Sequence, residues 1–275
     1  MPELPETETI RRELGQSVVG LKIVDVEVPV SRILRMPADE FIRRVKGTVV
    51  AGANRRAKII VLHLSSGEAL LFHLMMAGSL LYMPAGIPRG KATQVIFILE
   101  NGYELRYRDL RLFGYVKLLG EGDVLESPEL RHLGPEPLSD EFTPTTLKEM
   151  LAKRPRGKVK ALLLDQTFIA GIGNIYADEI LFYAGVHPAR PAGSLTNREI
   201  ERIYEGVRSI LAKAIEERGS SIASYVDLYG SKGNYTNFLK VYNRTGEPCP
   251  DGCTGVIVKI KVAGRGTHVC PDCQK

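Results

Sequence analysis

The sequence contains no apolar run long enough to cross a bilayer. Its most apolar stretch, Ala69 to Met83, is broken by His73, Gly78 and Ser79 and falls short of the roughly 20 residues that a spanning helix needs. The first residues are acidic where a secretory leader would be basic and then apolar, so no secretory signal is expected and a cytoplasmic location is. Internal repeats and low-complexity tracts are missing, which excludes solenoid and fibrous architectures. Cysteine is absent from residues 1–248. What remains is ordinary globular material, 44% hydrophobic and 25% charged, and 275 residues are enough for more than one core.

Net charge is only +5, but it is unevenly placed. Residues 1–145 carry 18 basic and 19 acidic side chains and residues 146–275 carry 19 and 13, so the second half is the one suited to a polyanion. Within it, Lys153, Arg154, Arg156, Lys158 and Lys160 form a cluster that reads either as a phosphate contact or as a solvated loop.

Periodicity divides the chain. Ile10, Leu14 and Val18 at spacing four, with Pro5 near a helix start, predict one early helix over Glu6 to Val18. Short β-rich runs then follow between Leu21 and Leu119, among them Ile23–Val30, Ile59–Leu64, Ala69–His73, Val95–Leu99 and Tyr115–Leu118, and predict a sandwich or barrel. The proline-rich segment Leu133 to Leu138 reads as a linker. Beyond it Leu147–Leu151, Val159–Asp165, Ile175–Ala184 and Arg198–Arg218 predict helices, and the segment after Leu239 is again β-prone.

The cysteines fall as Cys249-Pro-Asp-Gly-Cys253 and Cys270-Pro-Asp-Cys273. Two short pairs flanking a β-prone stretch suit two knuckles converging on one tetrahedral zinc ion. Two disulfides are the alternative, disfavoured in a reducing compartment. Four thiolates leave no open position for water, so such a zinc is structural. Between the pairs, Gly264-Arg-Gly266 would hold Arg265 near a hairpin tip, for a phosphate or merely in solvent.

The opening Met1-Pro-Glu-Leu-Pro-Glu-Thr-Glu-Thr-Ile-Arg-Arg12 closely resembles the start of the formamidopyrimidine-DNA glycosylases. Arg55-Arg-Ala-Lys58, His73 to Gly78, Leu105 to Gly114, Leu162 to Gln166, Gly171-Ile-Gly-Asn-Ile-Tyr176, Val241-Tyr242 and Gly264 to His268 follow in that family's order. The resemblance spans essentially the whole chain. It implies an α+β fold: an N-terminal β-sandwich with an N-terminal helix over 1–134, a helix-two-turn-helix domain over 135–245, and a C-terminal β-hairpin zinc finger over 246–275. It also implies a monomer without a membrane partner, acting on duplex DNA that contains oxidised purines, in the bacterial cytoplasm and nucleoid.

The chemistry implied can be argued from the residues. Loss of Met1 would expose Pro2 as a secondary amine, a nucleophile able to form an iminium with the sugar C1′ carbon; an α-amino group titrating near 7.7–8.0 is partly neutral at pH 7. The family's residue matching Glu3 protonates the sugar ring oxygen, and the one matching Glu6 positions the amine and can accept its proton. Without the resemblance, Pro2 is a common second residue and both glutamates are acids at a helix start. Lys58 matches a lysine that contacts the damaged nucleotide's phosphate. β- and then δ-elimination would complete a bifunctional reaction.

For DNA contact the resemblance points to Asn174, Tyr242 and Arg265 on the backbone, and to Met76, Arg111 and Phe113 as groups that fill the gap left by a flipped base. The other reading of Met76 and Phe113 is core packing. Gly219, Ser220 and Ser221 open a loop like the one that closes over the flipped base. The zinc ligands would be Cys249, Cys253, Cys270 and Cys273. Three departures stand out: three residues inside the first knuckle where two are usual, Thr7 for a usual valine, and Ala92 and Gln94 for a usual His-x-His pair, which predicts a lost phosphate contact or buried hydrogen bond. The competing readings are the sister enzymes that remove oxidised pyrimidines and a non-catalytic zinc ribbon that binds nucleic acid.

Overall fold

The structure is a computed structural model that describes residues 1–120, 122 and 124–275. The chain is α+β and forms two compact units: residues 1–131 with 217–236, and residues 132–216 with 237–275.

The first unit opens with α1 (Leu4–Ser17), two residues earlier than its apolar stripe alone suggests, because Pro5 fits the first turn and Glu3 serves as the N-cap. Ile10, Leu14 and Val18 on its inner face are fully buried. Each such burial stabilises by about 1.5–3 kcal/mol. Two four-stranded antiparallel sheets follow. One runs β1 (Ile23–Glu27), β6 (Thr93–Leu99), β7 (Tyr103–Arg108), β5 (Ser79–Pro84); the other runs β2 (Val50–Arg56), β3 (Ile59–Leu64), β4 (Ala69–His73), β8 (Tyr115–Leu119). Both sheets contribute to one core, so the unit is a sandwich. The sequence reading did not name β2, β5 and β7; in β2 and β7 the polar residues Asn54, Arg55, Arg56, Arg106 and Arg108 mask the alternation, and β5 (Ser79–Pro84) merges into the apolar stretch from Ala69 to Met83. It also missed α2 (Ala38–Val45), which buries only Phe41 and Val45. Residues 217–236 add Tyr225 and Leu228 to the same core, and the Tyr82 N–H of β5 donates to the Leu228 carbonyl at 2.8 Å.

The second unit carries α3 (Pro144–Ala152), α4 (Val159–Leu164), α5 (Asn174–Ala184) and α6 (Asn197–Glu216), then the hairpin β9 (Val258–Val262) and β10 (Arg265–Val269). The amphipathic α6 buries Ile203, Val207 and Leu211, while α5, apolar along most of its length, is buried on several sides. Phe182 of α5 packs with Val241, Ile257, Cys249 and Cys270, so the cysteine segment shares a core with the helices. No helix among the described residues is long and apolar enough to cross a membrane.

Candidate active site and nucleic-acid interface

The start of α1 gathers Pro2, Glu3 and Glu6, all buried. Glu6 is the hub. Its Oε2 accepts the Glu3 backbone N–H at 2.8 Å, one half of a capping box, and its Oε1 accepts the Ser220 N–H at 2.7 Å. The carboxylate thus ties the chain beside Pro2 to the Gly219 to Ser221 loop. Gly219 permits this approach: its φ is +80°, and a Cβ there would lie 2.8 Å from Glu6 Cγ. Ser221 is turned into the loop, where its Oγ donates to the Tyr225 carbonyl and accepts the Gly233 N–H, both at 2.9 Å. Thr7 is fully buried and donates to the carbonyls of Glu3 and Leu4, 3.0 Å each, so the hydroxyl is satisfied inside the helix turn.

Lys58 occupies the two-residue turn between β2 and β3, after Ala57 at φ +51°. It is buried. Its charge reaches His73 on the neighbouring strand. Burial first, then Lys58, bring the His73 imidazole down from 6.5 to about 4, so it is neutral and its Nδ1 accepts the Met75 N–H at 3.1 Å. That bond shapes the turn that presents Met76. Gly78 closes it, with its N–H on the Leu74 carbonyl at 2.8 Å, where a Cβ would come within 2.5 Å of that oxygen.

Arg111 and Phe113 stand on a second turn, organised by Asp109, a residue that sequence reasoning missed. Asp109 is buried; its Oδ1 accepts the Arg111 N–H at 2.9 Å and its Oδ2 the Gly114 N–H at 2.8 Å. The Arg111 guanidinium lies 4.7 Å from the Phe113 ring centroid. Met76 is 49% and Phe113 50% exposed, which rejects the core reading for both. At the Ala92 and Gln94 positions, Gln94 is buried: its Nε2 donates to the Asp109 carbonyl at 3.1 Å, while its Oε1 has no hydrogen-bond partner among the described residues.

In the second unit Asn174, Tyr242 and Arg265 come together around the hairpin. Gly173 caps α5 and Asn174 is its first residue; the Asn174 Nδ2 donates to the Gly266 carbonyl at 3.0 Å, beside Arg265. Ala263 and Gly264, both at positive φ, form the two-residue turn, and Arg265 follows it exposed. Tyr242 meets the His268 ring edge-on, centroids 4.8 Å apart. Beneath them lies a buried cluster. Lys160 Nζ is 2.6 Å from Asp178 Oδ1 and donates to Thr267 Oγ1 at 2.7 Å, while Asp178 Oδ2 accepts the His268 N–H at 2.8 Å. Lys160 therefore belongs neither to a phosphate contact nor to a solvated loop. Its position next to Val159, at the start of an apolar helix, was the only hint. Glu179 accepts the N–H groups of Lys240, Val241 and Tyr242 at 2.8, 3.0 and 2.8 Å and so fixes the backbone that carries Tyr242.

The sulfurs of Cys249, Cys253, Cys270 and Cys273 lie within 4.8 Å of one another. Bonds of about 2.3 Å to a tetrahedral zinc would place sulfurs about 3.8 Å apart, so the donor set fits one structural Zn²⁺. The longer first knuckle is accommodated by Gly252 at φ +78°. Gly255 sends its N–H to Cys253 Sγ at 3.3 Å where a Cβ would be 2.8 Å from Cys270 Sγ.

Apolar side chains held out on two rigid turns have no core to fill, and an arginine on a zinc-braced hairpin beside a helix N-terminus suits a phosphate. The class so defined is a zinc-containing DNA-binding protein. Residues 1–116 match the formamidopyrimidine-DNA glycosylase N-terminal domain, residues 133–226 its H2TH domain, and residues 246–275 the zinc finger found in FPG and IleRS. The formamidopyrimidine-DNA glycosylases of Carboxydothermus hydrogenoformans and Pelotomaculum thermopropionicum are 46% and 45% identical, each over 100% of this chain and 100% and 99% of their own. The Lactococcus lactis Fpg bound to abasic-site DNA superposes with a TM-score of 0.92 at 38% identity over 99% of both chains. A variant of it bound to Fapy-dG DNA gives 0.93 over 100% of both. The chain belongs to the formamidopyrimidine-DNA glycosylase family, enzymes of base-excision DNA repair.

Proposed function

We propose that the protein is a bifunctional glycosylase and abasic-site lyase that excises 8-oxoguanine and formamidopyrimidines from duplex DNA through an iminium on Pro2. The observation that carries this reading is the double use of Glu6, which joins the backbone beside Pro2 to the Ser220 amide of the loop. In the proposed reaction, removal of Met1 frees the Pro2 amine. Glu3 delivers a proton to the deoxyribose ring oxygen as the ring opens. The amine nitrogen bonds to C1′ as the C1′–base bond breaks, the base departs with its bonding pair, and the amine proton passes to Glu6 and on to the departing base, so that the nitrogen lone pair can form the C1′ iminium as the protonated ring oxygen leaves. A proton lost from C2′ then expels the 3′ phosphate, and a second elimination expels the 5′ phosphate. Lys58 serves the phosphate of the damaged nucleotide. Met76 and Phe113 occupy the space the base leaves, and Arg111 faces the orphaned partner. Asn174, Tyr242 and Arg265 hold the backbone, and Gly219, Ser220 and Ser221 close over the flipped base.

The relatives' names and the lesion DNA in the Lactococcus lactis complexes support oxidised purines as substrate. The test is borohydride trapping on duplexes that carry 8-oxoguanine or thymine glycol. A covalent adduct that forms with the first and maps to the N-terminal peptide is expected. Preference for thymine glycol, or an adduct on Lys58, would overturn the reading.

A further inference from the structure

We propose that Glu13, Arg218 and Asp227 form a charge-balanced clasp that holds the 217–236 loop against the catalytic helix, which makes them positioning residues for base excision. The proposal rests on the reading that this loop covers the flipped base.

Glu13 and Asp227 are buried carboxylates from different segments, and they share one guanidinium. Arg218 reaches Glu13 Oε1 and, at 2.5 Å, Asp227 Oδ2. The remaining oxygens are committed to the loop backbone. Glu13 Oε2 accepts the Leu228 N–H at 2.9 Å, and Asp227 Oδ1 accepts those of Tyr229 and Ser231 at 2.9 and 2.8 Å. Glu6 and Glu13 are seven residues apart and so lie on one face of α1. Glu6 takes Ser220 on the loop's first limb and Glu13 takes Leu228 on its second, so one helix face fixes both limbs.

Arg218 stands at φ +62°, a left-handed conformation that glycine adopts more easily than arginine. An arginine kept there points to use of its side chain. That side chain is 43% exposed, so the cation of the clasp lies at its open edge. The groups facing Glu13 are Arg218, Asp227, the Tyr225 phenol and the Leu228 amide. Burial pushes the Glu13 carboxyl up, Asp227 adds to the rise, and the Leu228 amide and Arg218 oppose it. Without the guanidinium two buried carboxylates would confront each other, and the loop would stay seated only while one of them held a proton.

The experiment compares wild type, Arg218→Met and Arg218→Met with Glu13→Gln, in single-turnover excision from an 8-oxoguanine duplex and cleavage of an abasic duplex. As the chain has no tryptophan, Ala223→Trp in each background reports the DNA-free loop by fluorescence. Relative to wild type, Arg218→Met should excise best at the acid end of the pH range and lose up to about tenfold for each pH unit above the carboxyl's pKa, with a parallel emission change. Abasic cleavage, with no base to cover, should fall less. The double variant should follow the wild-type pH profile, because the neutral amide still accepts the Leu228 N–H and repels nothing. An Arg218→Met enzyme with the wild-type pH profile, or a uniform loss on both substrates at every pH, would overturn the clasp, and an emission change without an excision change would overturn its positioning role. If wild type fails to excise 8-oxoguanine at all, the substrate reading falls, and the emission profile still decides whether the clasp exists.

Discussion

Buried carboxylates organise both units, but they are enclosed differently. In the second unit Asp178 faces fully buried Lys160, and Glu179 is held by three backbone amides, so neither is balanced by an exposed cation. In the first unit Glu6 and Glu13 hold a loop, and the cation that balances Glu13 is nearly half exposed. The first arrangement suits a surface that must keep one shape to grip DNA. The second suits a segment that must leave and return. A partner's exposure, more than the number of bonds, separates a fixed scaffold from a movable one.

The proposed chemistry lies in the first unit and the proposed backbone grip of Asn174, Tyr242 and Arg265 in the second, and the largest effects should test that division. Glu3→Gln should reduce excision of 8-oxoguanine by about 10²- to 10⁴-fold, the usual share of a general acid, and spare much of the cleavage at a pre-formed abasic site, which already offers an aldehyde. Protein that retains Met1 should form no trapped adduct on either substrate. Gel-resolved cleavage with and without borohydride checks both, and equal loss on both substrates for Glu3→Gln would refute the role given to Glu3.

In the second unit Lys160→Met should destabilise by about 3–5 kcal/mol, because it leaves Asp178 buried without its cation. The double variant with Asp178→Asn should recover part of that. Urea unfolding measures the stability, and filter binding should show weakened DNA affinity with single-turnover excision at saturating enzyme nearly intact. Stripping zinc, or Cys253→Ser, should act in the same direction by releasing the Arg265 hairpin, and metal analysis that finds no zinc in reduced protein would refute the assignment.

His73 offers a pH test confined to the first unit. Its folded imidazole titrates at about 4, below its ordinary 6.5, so the neutral form is the one folding prefers. The stability this supplies is complete above pH 6.5 and is lost as pH falls toward 4, on the order of 3 kcal/mol in all. His73→Gln should lack that part of the acid sensitivity, and unfolding curves at several pH values, compared with wild type, would show it. Smallest is the partner preference: cytosine presents O2 and N3 acceptors to Arg111 whereas adenine presents a donor at N6, worth about 1–3 kcal/mol. Equal excision opposite cytosine and adenine would remove Arg111 from that role.

Residues that act through identity were legible in the sequence; residues that act through distant pairing were not. The cysteine knuckles and the glycine-capped start of α5 carry local signals, whereas Pro2 and Glu3 stand out only through the family resemblance. The exposed Met76 and Phe113 could not be told from core residues by composition, and only the turns built by His73 and Asp109 resolve them. Arg218, Asp227, Lys160 and Asp178 gave no signal because their partners lie far along the chain or are backbone amides. Strands β2 and β7 were hidden for a related reason, since their arginines satisfy buried carboxylates, as Arg106 does with Glu104 at 2.6 Å.

Glu179 bears on the order in which the molecule assembles. Its three amide partners are 61 to 63 positions away in sequence and cannot be served before α5 exists, because only the helix aims the carboxylate at them. Until then the 240–242 backbone must keep its hydrogen bonds with water. α5 is therefore the template for the 240–242 backbone, from which the cysteine ribbon starts a few residues later. Zinc added late in refolding should find its ligands delivered by a scaffold already in place.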